Sequence, residues 1–362
     1  MILTAIVFLV ILTVLVLIHE LGHYTAARII GVKVEEFGLG LPPRAAGKKI
    51  GDTIYSLNWL PIGGFVRLAG EDPEEVGQMT GAKNSKQYFW GRSKKERAII
   101  LTAGVIMNFV LAVVITGGLL VHGVEEPSGT VHIVTVTAKT PAAAAGIQVG
   151  DIVKSVSYVP AGKTITVKTT DDLISFSHEY AGKPLTVTLS RNGHLLTVPL
   201  TPRTVVPKGQ GPMGIAISDL EMHRYGLWTA ANKAVVINVL RARDMLGSLW
   251  TVVARLATLR KPQAEIAGPI GIAEVTGQAV KFGWAAVFEF ASILSLNLAV
   301  LNILPIPALD GGRLLFVLLE KIFRKRVNPV FERNAHQIGM IILLVLIFLV
   351  SINDILRLAR GG

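Results

Sequence analysis

Cysteine is absent from the 362-residue chain, which removes disulfides, thiolate nucleophiles and zinc–thiolate centres together and leaves the compartment open. Any metal must be held by His, Asp or Glu. Charge is scarce as well: 17% of residues are Asp, Glu, Lys or Arg against 51% hydrophobic, and the mean hydropathy is +0.53. That balance is too apolar for an ordinary soluble protein of this size and reads as a membrane protein carrying a modest soluble part. What charge there is leans basic, with a net +11. The basic residues are scattered and lack an aromatic-interleaved patch or binding motif, so no nucleic-acid partner is expected, and positive-inside loops account for the excess. The first apolar segment has no basic leader in front of it, and removing it would discard the histidines described below. It is expected to be retained.

Four stretches are long and apolar enough to cross a hydrocarbon core of about 30 Å: about 2–24, 98–121, 285–309 and 337–353. Basic residues concentrate in the loop 28–97 and around 321–326, which places both loops in the cytoplasm. Both termini and the long segment between the second and third spans then face outward. Within 32–70, strand-like runs at 32–37, 53–57 and 64–68 alternate with Gly and Pro, suggesting a small membrane-associated β element. Its Gly63, Gly64, Phe65 and Val66 either offer a backbone edge to an extended substrate or belong to a plain hairpin; pattern alone does not choose. Residues 71–97 read as a polar loop, with Tyr88-Phe89-Trp90 at the membrane interface.

From 124 to 203 the hydropathy falls, and short strands are expected at 130–136, 152–157, 164–167, 185–189 and 195–200. Residues 140–153 fit a short helix, a glycine cap and a tight turn into a strand, and they resemble the matching segment of bacterial PDZ domains. Apolar residues recur at helical spacing over 225–259, but Lys233, Arg241, Arg243, Asp244 and Arg255 interrupt any span. An amphipathic helix on the outer membrane surface, or against the outer module, is expected. The predicted fold is thus a polytopic α-helical membrane protein of about four transmembrane helices, with a small β element and one extracytoplasmic PDZ-like α+β domain. The expected boundaries are 1–124 for the first membrane half, 125–204 for the PDZ-like domain, 205–265 for amphipathic linker helices and 266–362 for the second membrane half.

The first span runs into His19-Glu20-Leu21-Gly22-His23. On a helix, positions i and i+4 share a face, so His19 and His23 can present two nitrogens to one zinc, with Glu20 close enough to take a proton from an attacking water. This is the HExxH pattern of zinc proteases. Three ionisable residues within five positions of a span are costly and point to function. The metzincin extension fails, because Ala26 and Ile29 stand where glycine and histidine are needed, and Glu35 and Glu36 follow too soon to supply a second ligand helix. The third ligand must come from elsewhere. A candidate, Asp310, ends the stretch Asn302-Ile303-Leu304-Pro305-Ile306-Pro307-Ala308-Leu309-Asp310-Gly311-Gly312, whose prolines break the third span. Taken alone, Asp310 reads first as the cap of a helix over 311–323. As a ligand beside two histidines it would leave a fourth position open.

Taken together, HELGH, GGFVRLAGE at 63–71, AGVIMNF at 103–109, the PDZ-like segment, GPIGI at 268–272 and NILPIPALDGG at 302–312 resemble the site-2 protease family of intramembrane zinc metalloproteases. The likeness is to the bacterial group of the regulator of sigma-E protease type. One departure is Gly104-Val105, where the family has Gly-Pro. The resemblance implies that His19, His23 and Asp310 bind Zn2+, that Glu20 is the general base, and that Asn302 stabilises the oxyanion or clamps unwound substrate. It further implies a bacterial inner membrane enzyme with its active site toward the cytoplasm. Its substrates would be single-pass membrane proteins, such as anti-sigma factors or signal-peptide remnants, trimmed first by an upstream site-1 protease. Two other classes compete: a membrane-anchored PDZ adaptor with a structural metal site, and a zinc transporter. The transporter needs a polar pathway, for which the spans offer only Asn108, Thr116 and Glu289. The outer module is expected to act as a size filter, because Gly129-Thr130-Val131-His132 is a faint match to a carboxylate-binding loop.

Overall fold

The computed structural model describes residues 2–71, 85–207, 209–258 and 268–359. In chain order, α1 (Ile2–Ile30) leads into strands β1 (Val34–Ile50) and β2 (Thr53–Leu68), then α2 (Lys94–His122). Strand β3 (Val124–Val136), helix α3 (Pro141–Ala144), strands β4 (Ile152–Tyr158) and β5 (Lys163–Thr166), helix α4 (Thr170–Glu179) and strands β6 (Leu185–Arg191), β7 (His194–Leu200) and β8 (Ile215–His223) follow. Helices α5 (Leu227–Ala257), α6 (Pro269–Phe282), α7 (Trp284–Ile303), α8 (Asp310–Phe323) and α9 (Pro329–Ala359) complete the chain. Two compact units emerge, Met1–Val121 with Gly226–Gly362, and His122–Tyr225.

In the first unit, α1, α2, α7 and α9 are long and apolar enough to cross a membrane. The helices outrun their apolar cores: α1 continues to Ile30 rather than ending near 24, and α9 covers Pro329–Ala359 rather than 337–353. The exception is α7, which stops at Ile303 instead of continuing to 309, because Pro305 and Pro307 lack the amide hydrogens a helix needs. Buried positions on α1 include Val7, Ile11, Leu15, His19, His23 and Ala27, and on α2 Ile100, Gly104, Asn108, Ala112, Thr116 and Leu120. Spacing by four draws a single ridge down each helix. Helix α5 is not a free surface helix. Its fully buried Asn238 donates from Nδ2 to Thr116 Oγ1 at 3.1 Å, and Thr116 in turn meets Ser292 Oγ at 2.9 Å, which fixes α5 against α2 and α7.

The β element has four pairing segments, where three were expected. Strand β1 bends near Gly40 and β2 near Gly63, so that Phe37 pairs with both Val66 and Tyr55, Leu39 with both Gly64 and Leu57, and Lys48 with Tyr55. The segments therefore lie in the order 64–68, 34–39, 53–57, 46–50, with 64–68 at an edge. Buried Ala27, Val34, Leu68, Ile100, Leu101 and Val317 form one cluster that ties α1, this sheet, α2 and α8 together. Of the polar loop expected over 71–97, residues 72–84 lie outside the described residues; 85–91 form two short 3-10 turns. Residues 259–265 of the expected linker also lie outside them.

The second unit is a sheet in the order β7-β6-β4-β3-β8, with β5 paired to β4. Its core holds Val131, Val153, Val156, Leu173, Leu185 and Leu189, all buried. Helix α4, which the sequence reading passed over, starts with a capping box between Thr169 and Asp172. Strand β8, beyond residue 204, pairs with β3 from Val124↔His223 to Val136↔Ile215. The unit thus closes well past the boundary expected from sequence.

Candidate metal centre

Helix α1 carries His19 and His23 on its buried ridge, each 6% exposed. Asp310 reaches them from 287 or more residues away: its Oδ2 lies 2.9 Å from His19 Nε2 and 3.2 Å from His23 Nε2, and the two Nε2 atoms are 3.2 Å apart. It does so from the first turn of α8, where Leu309 takes the capping position. The capping role that Asp310 suggested on its own is therefore not the one it adopts. Glycines make this approach possible, since a Cβ on Gly311 or Gly312 would run into the backbone of Ile303, Leu304 and Ile306.

Hydrogen bonding decides what the three donor atoms can hold. His23 Nδ1 donates to the Ile100 carbonyl at 2.8 Å, so the neutral ring has a bare lone pair on Nε2, facing a carboxylate and another imidazole. Lone pairs converging without a proton between them repel one another unless a cation lies there. A tetrahedral zinc with bonds of about 2.0–2.1 Å separates its ligands by about 3.3 Å, close to the observed 2.9, 3.2 and 3.2 Å. The group is also the one cluster of three metal-capable side chains among the described residues. The donor set fits Zn2+.

Residues around the donors fix them. Asn108, buried on α2, brings its Nδ2 to 3.3 Å from His19 Nδ1, while its Oδ1 has no partner among the described residues, so turning the amide over exchanges the two. With the amide oriented to present Oδ1 to the ring, His19 Nδ1–H is satisfied and Nε2 is left free for a metal, as outer-shell partners of zinc histidines commonly arrange. The sequence reading treated Asn108 only as a polar group in a span. Its signal was its place four residues after Gly104, on the α2 ridge that meets the histidines. Asn302 Nδ2 lies 3.3 Å from His19 Nε2.

Glu20 accepts a hydrogen bond from the Val66 amide at 3.1 Å. That amide, which an open strand edge would offer to a substrate, is occupied, and so is the Leu68 amide, which donates to Glu71 at 3.2 Å. Glu71 also pairs with Arg313. Gly64 lies alongside Glu20 and Gly63 beside Val16, while Phe65 and Val66 join Glu20, His23 and Asp310 in the wall of a cavity of about 250 Å³.

Comparisons with known proteins bear on the chain as a whole. The family model described as Peptidase family M50 matches residues 7–346. The regulator of sigma-W protease RasP of Bacillus subtilis is 30% identical, with 98% of this chain and 99% of the relative covered. Zinc metalloproteases RasP of Shouchella clausii and Bacillus licheniformis match at the same identity and the same coverage. With four helices long and apolar enough to cross a membrane among the described residues, and a donor set that fits zinc, the chain belongs to peptidase family M50, the site-2 proteases, and is a multi-pass membrane zinc metalloprotease.

Proposed function

We propose that this protease cuts single-pass membrane proteins within or beside their transmembrane helices. The observation that carries the reading is that Asp310 comes within 2.9–3.2 Å of His19 and His23, which lie on a helix apolar enough to span a bilayer. His19, His23 and Asp310 are assigned as the ligands. Zinc supplies Lewis acidity to the scissile carbonyl and lowers the pKa of an attacking water toward about 7. Glu20, held beside the ligands by Val66 N–H, takes the proton of that water and returns it to the leaving amine. Asn108 orients the His19 ring from Nδ1, and Asn302, whose Nδ2 lies beside the ligand nitrogen, is assigned to steady the substrate carbonyl.

A helical substrate hides its carbonyls in internal hydrogen bonds and has to unwind before it is cut. The edge 64–68 supports an extended pose by strand addition, in which the substrate takes over donors now held by Glu20 and Glu71. The basic loops support a bacterial inner-membrane orientation with the catalytic end of α1 toward the cytoplasm, and with both termini and the second unit outside. Anti-sigma factors or signal-peptide remnants, shortened by a site-1 protease, fit this arrangement as substrates in the lipid bilayer.

For the second unit, assigned as PDZ-like, a size filter was expected because residues 129–132 make a poor carboxylate loop. A groove of about 220 Å³ between α4 and the edge strand β8 lies elsewhere, lined by Leu173, Ile174, Ser177, Met213, Ile215 and Ile217 and bordered by the glycine-rich turn 209–214. It favours a second reading, docking of an extended apolar C-terminus.

The test of the main reading is Glu20→Gln in detergent-purified protein. Zinc content should stay at about one per chain, while cleavage of a fluorogenic single-span peptide falls by about 10²–10⁴. Turnover within tenfold of the unsubstituted enzyme would remove Glu20 as the base.

A further inference from the structure

One imidazole near the centre is left over. His336 lies on α9, away from every motif that marked the site in the sequence, yet it lines the same cavity as Glu20, His23, Val66 and Asp310. Its Nδ1 accepts a hydrogen bond from the Ala308 amide at 2.9 Å. An accepting Nδ1 carries no proton, so the ring is neutral and its proton sits on Nε2. That Nε2 is buried and has no hydrogen-bond partner among the described residues. A buried N–H without an acceptor is costly and calls for an explanation.

The contact that sets the tautomer is itself tightly built. Ala308 has φ +81°, a left-handed conformation that a residue other than glycine rarely adopts. Three residues along α9 from His336, Gly339 lets the helix press on the ligand loop, since a Cβ there would come within 2.6 Å of Pro307. Phe316 stands edge-on to the imidazole at a centroid distance of 5.6 Å. The ring is thus held from two sides, with its tautomer fixed by the loop that delivers Asp310.

We propose that His336 is a further catalytic residue, whose Nε2–H donates a hydrogen bond to the scissile carbonyl oxygen as it gains negative charge. The step transfers no proton and forms no covalent bond at His336. The ring that carries this unpaired donor lines a partly closed cavity, where a hydrogen bond supplied to developing charge is most effective. This assignment rests on the reading of His19, His23, Asp310 and Glu20 as the reaction centre.

Two substitutions divide the roles of the ring. His336→Asn keeps an acceptor near Nδ1 for the Ala308 amide but removes the donor; His336→Gln keeps a donor near Nε2. Both are compared with the unsubstituted enzyme in detergent for zinc affinity, by chelator competition, and for kcat and KM on the fluorogenic single-span peptide. His336→Asn should bind zinc with unchanged affinity and lose about 10²–10³ in kcat with little change in KM, and His336→Gln should recover at least tenfold of the loss. Turnover by His336→Asn within threefold of the unsubstituted enzyme overturns the proposal. So does loss of zinc in both variants, which would leave His336 as a support for the Asp310 loop alone. Failure of the centre itself reads out separately, as full zinc occupancy in Asp310→Ala.

Discussion

Gly104 sets how closely α2 can approach the metal ligands, and adding one methyl group there tests the geometry of the whole centre. A Cβ at this position would lie 2.5 Å from His23 Nε2, 2.8 Å from His19 Cε1 and 2.9 Å from His23 Cε1. Ordinary contacts between such atoms are about 3.5 Å or more, so something has to yield by about 1 Å. The His23 ring cannot move that far without giving up its 2.8 Å bond to the Ile100 carbonyl, and zinc bonds tolerate displacements of only about 0.2 Å. Separating the helices instead is resisted by Gly22, where a Cβ would meet the Ala103 carbonyl oxygen at 2.5 Å and which marks an equally close crossing. Overpacking of this kind costs about 1–3 kcal/mol. If the metal-free protein relaxes and the zinc form cannot, that is about a 5- to 150-fold loss of zinc affinity in Gly104→Ala. Chelator competition measures it, with Gly118→Ala on the same helix as control because, beyond its own helix backbone, a Cβ there meets none of the described residues within 4 Å. Zinc affinity within threefold of the unsubstituted protein would refute the argument.

Two further outcomes concern the second unit. Arg191 donates to both carboxylate oxygens of Asp151 at 2.7 Å, and the Gln148 amide adds a third bond. Arg191 foremost holds the acid below its usual range. The stability it contributes is therefore complete above the unfolded pKa of about 3.9 and drains away as pH falls through the lower folded value. Thermal unfolding of Asp151→Asn should show a weaker dependence on pH between about 5 and 3 than the unsubstituted chain, and identical slopes would count against the pair. Replacing residues 124–223 with a flexible linker should leave zinc binding intact; slower cleavage of short, trimmed substrates would favour docking, whereas new cleavage of substrates with bulky ectodomains would favour a filter.

The sequence exposes what is local. His19 and His23 are legible because one helical turn joins them, and the spans because apolar runs need no partner to be recognised. Asp310 was legible only through the company of the other motifs, since a carboxylate after two prolines reads equally well as a helix cap. Asn108 was in view as a polar residue, but its neighbour depends on the crossing of α1 and α2, which Gly22 and Gly104 set without any pattern of their own. The fourth segment of the β element was missed because Gly47, Lys48 and Lys49 have little strand propensity, and pairing with Tyr55 and Ile54 holds them. Strand β8 escaped for a different reason, its partner β3 lying about ninety residues earlier in the chain. Helix α5 was read correctly as interrupted by charge, but the buried Asn238–Thr116–Ser292 contact that fixes it cannot be read from one segment.

Pairing of Val124 with His223, and of the residues that follow up to Pro127 with Leu220, brings the two ends of the second unit side by side as a ribbon. A guest whose entrance and exit are neighbours can be lost, exchanged or doubled without asking α2 and α5 to move. Zinc chemistry in the first unit and the properties of the insert can then vary on separate schedules, the one changing without disturbing the other.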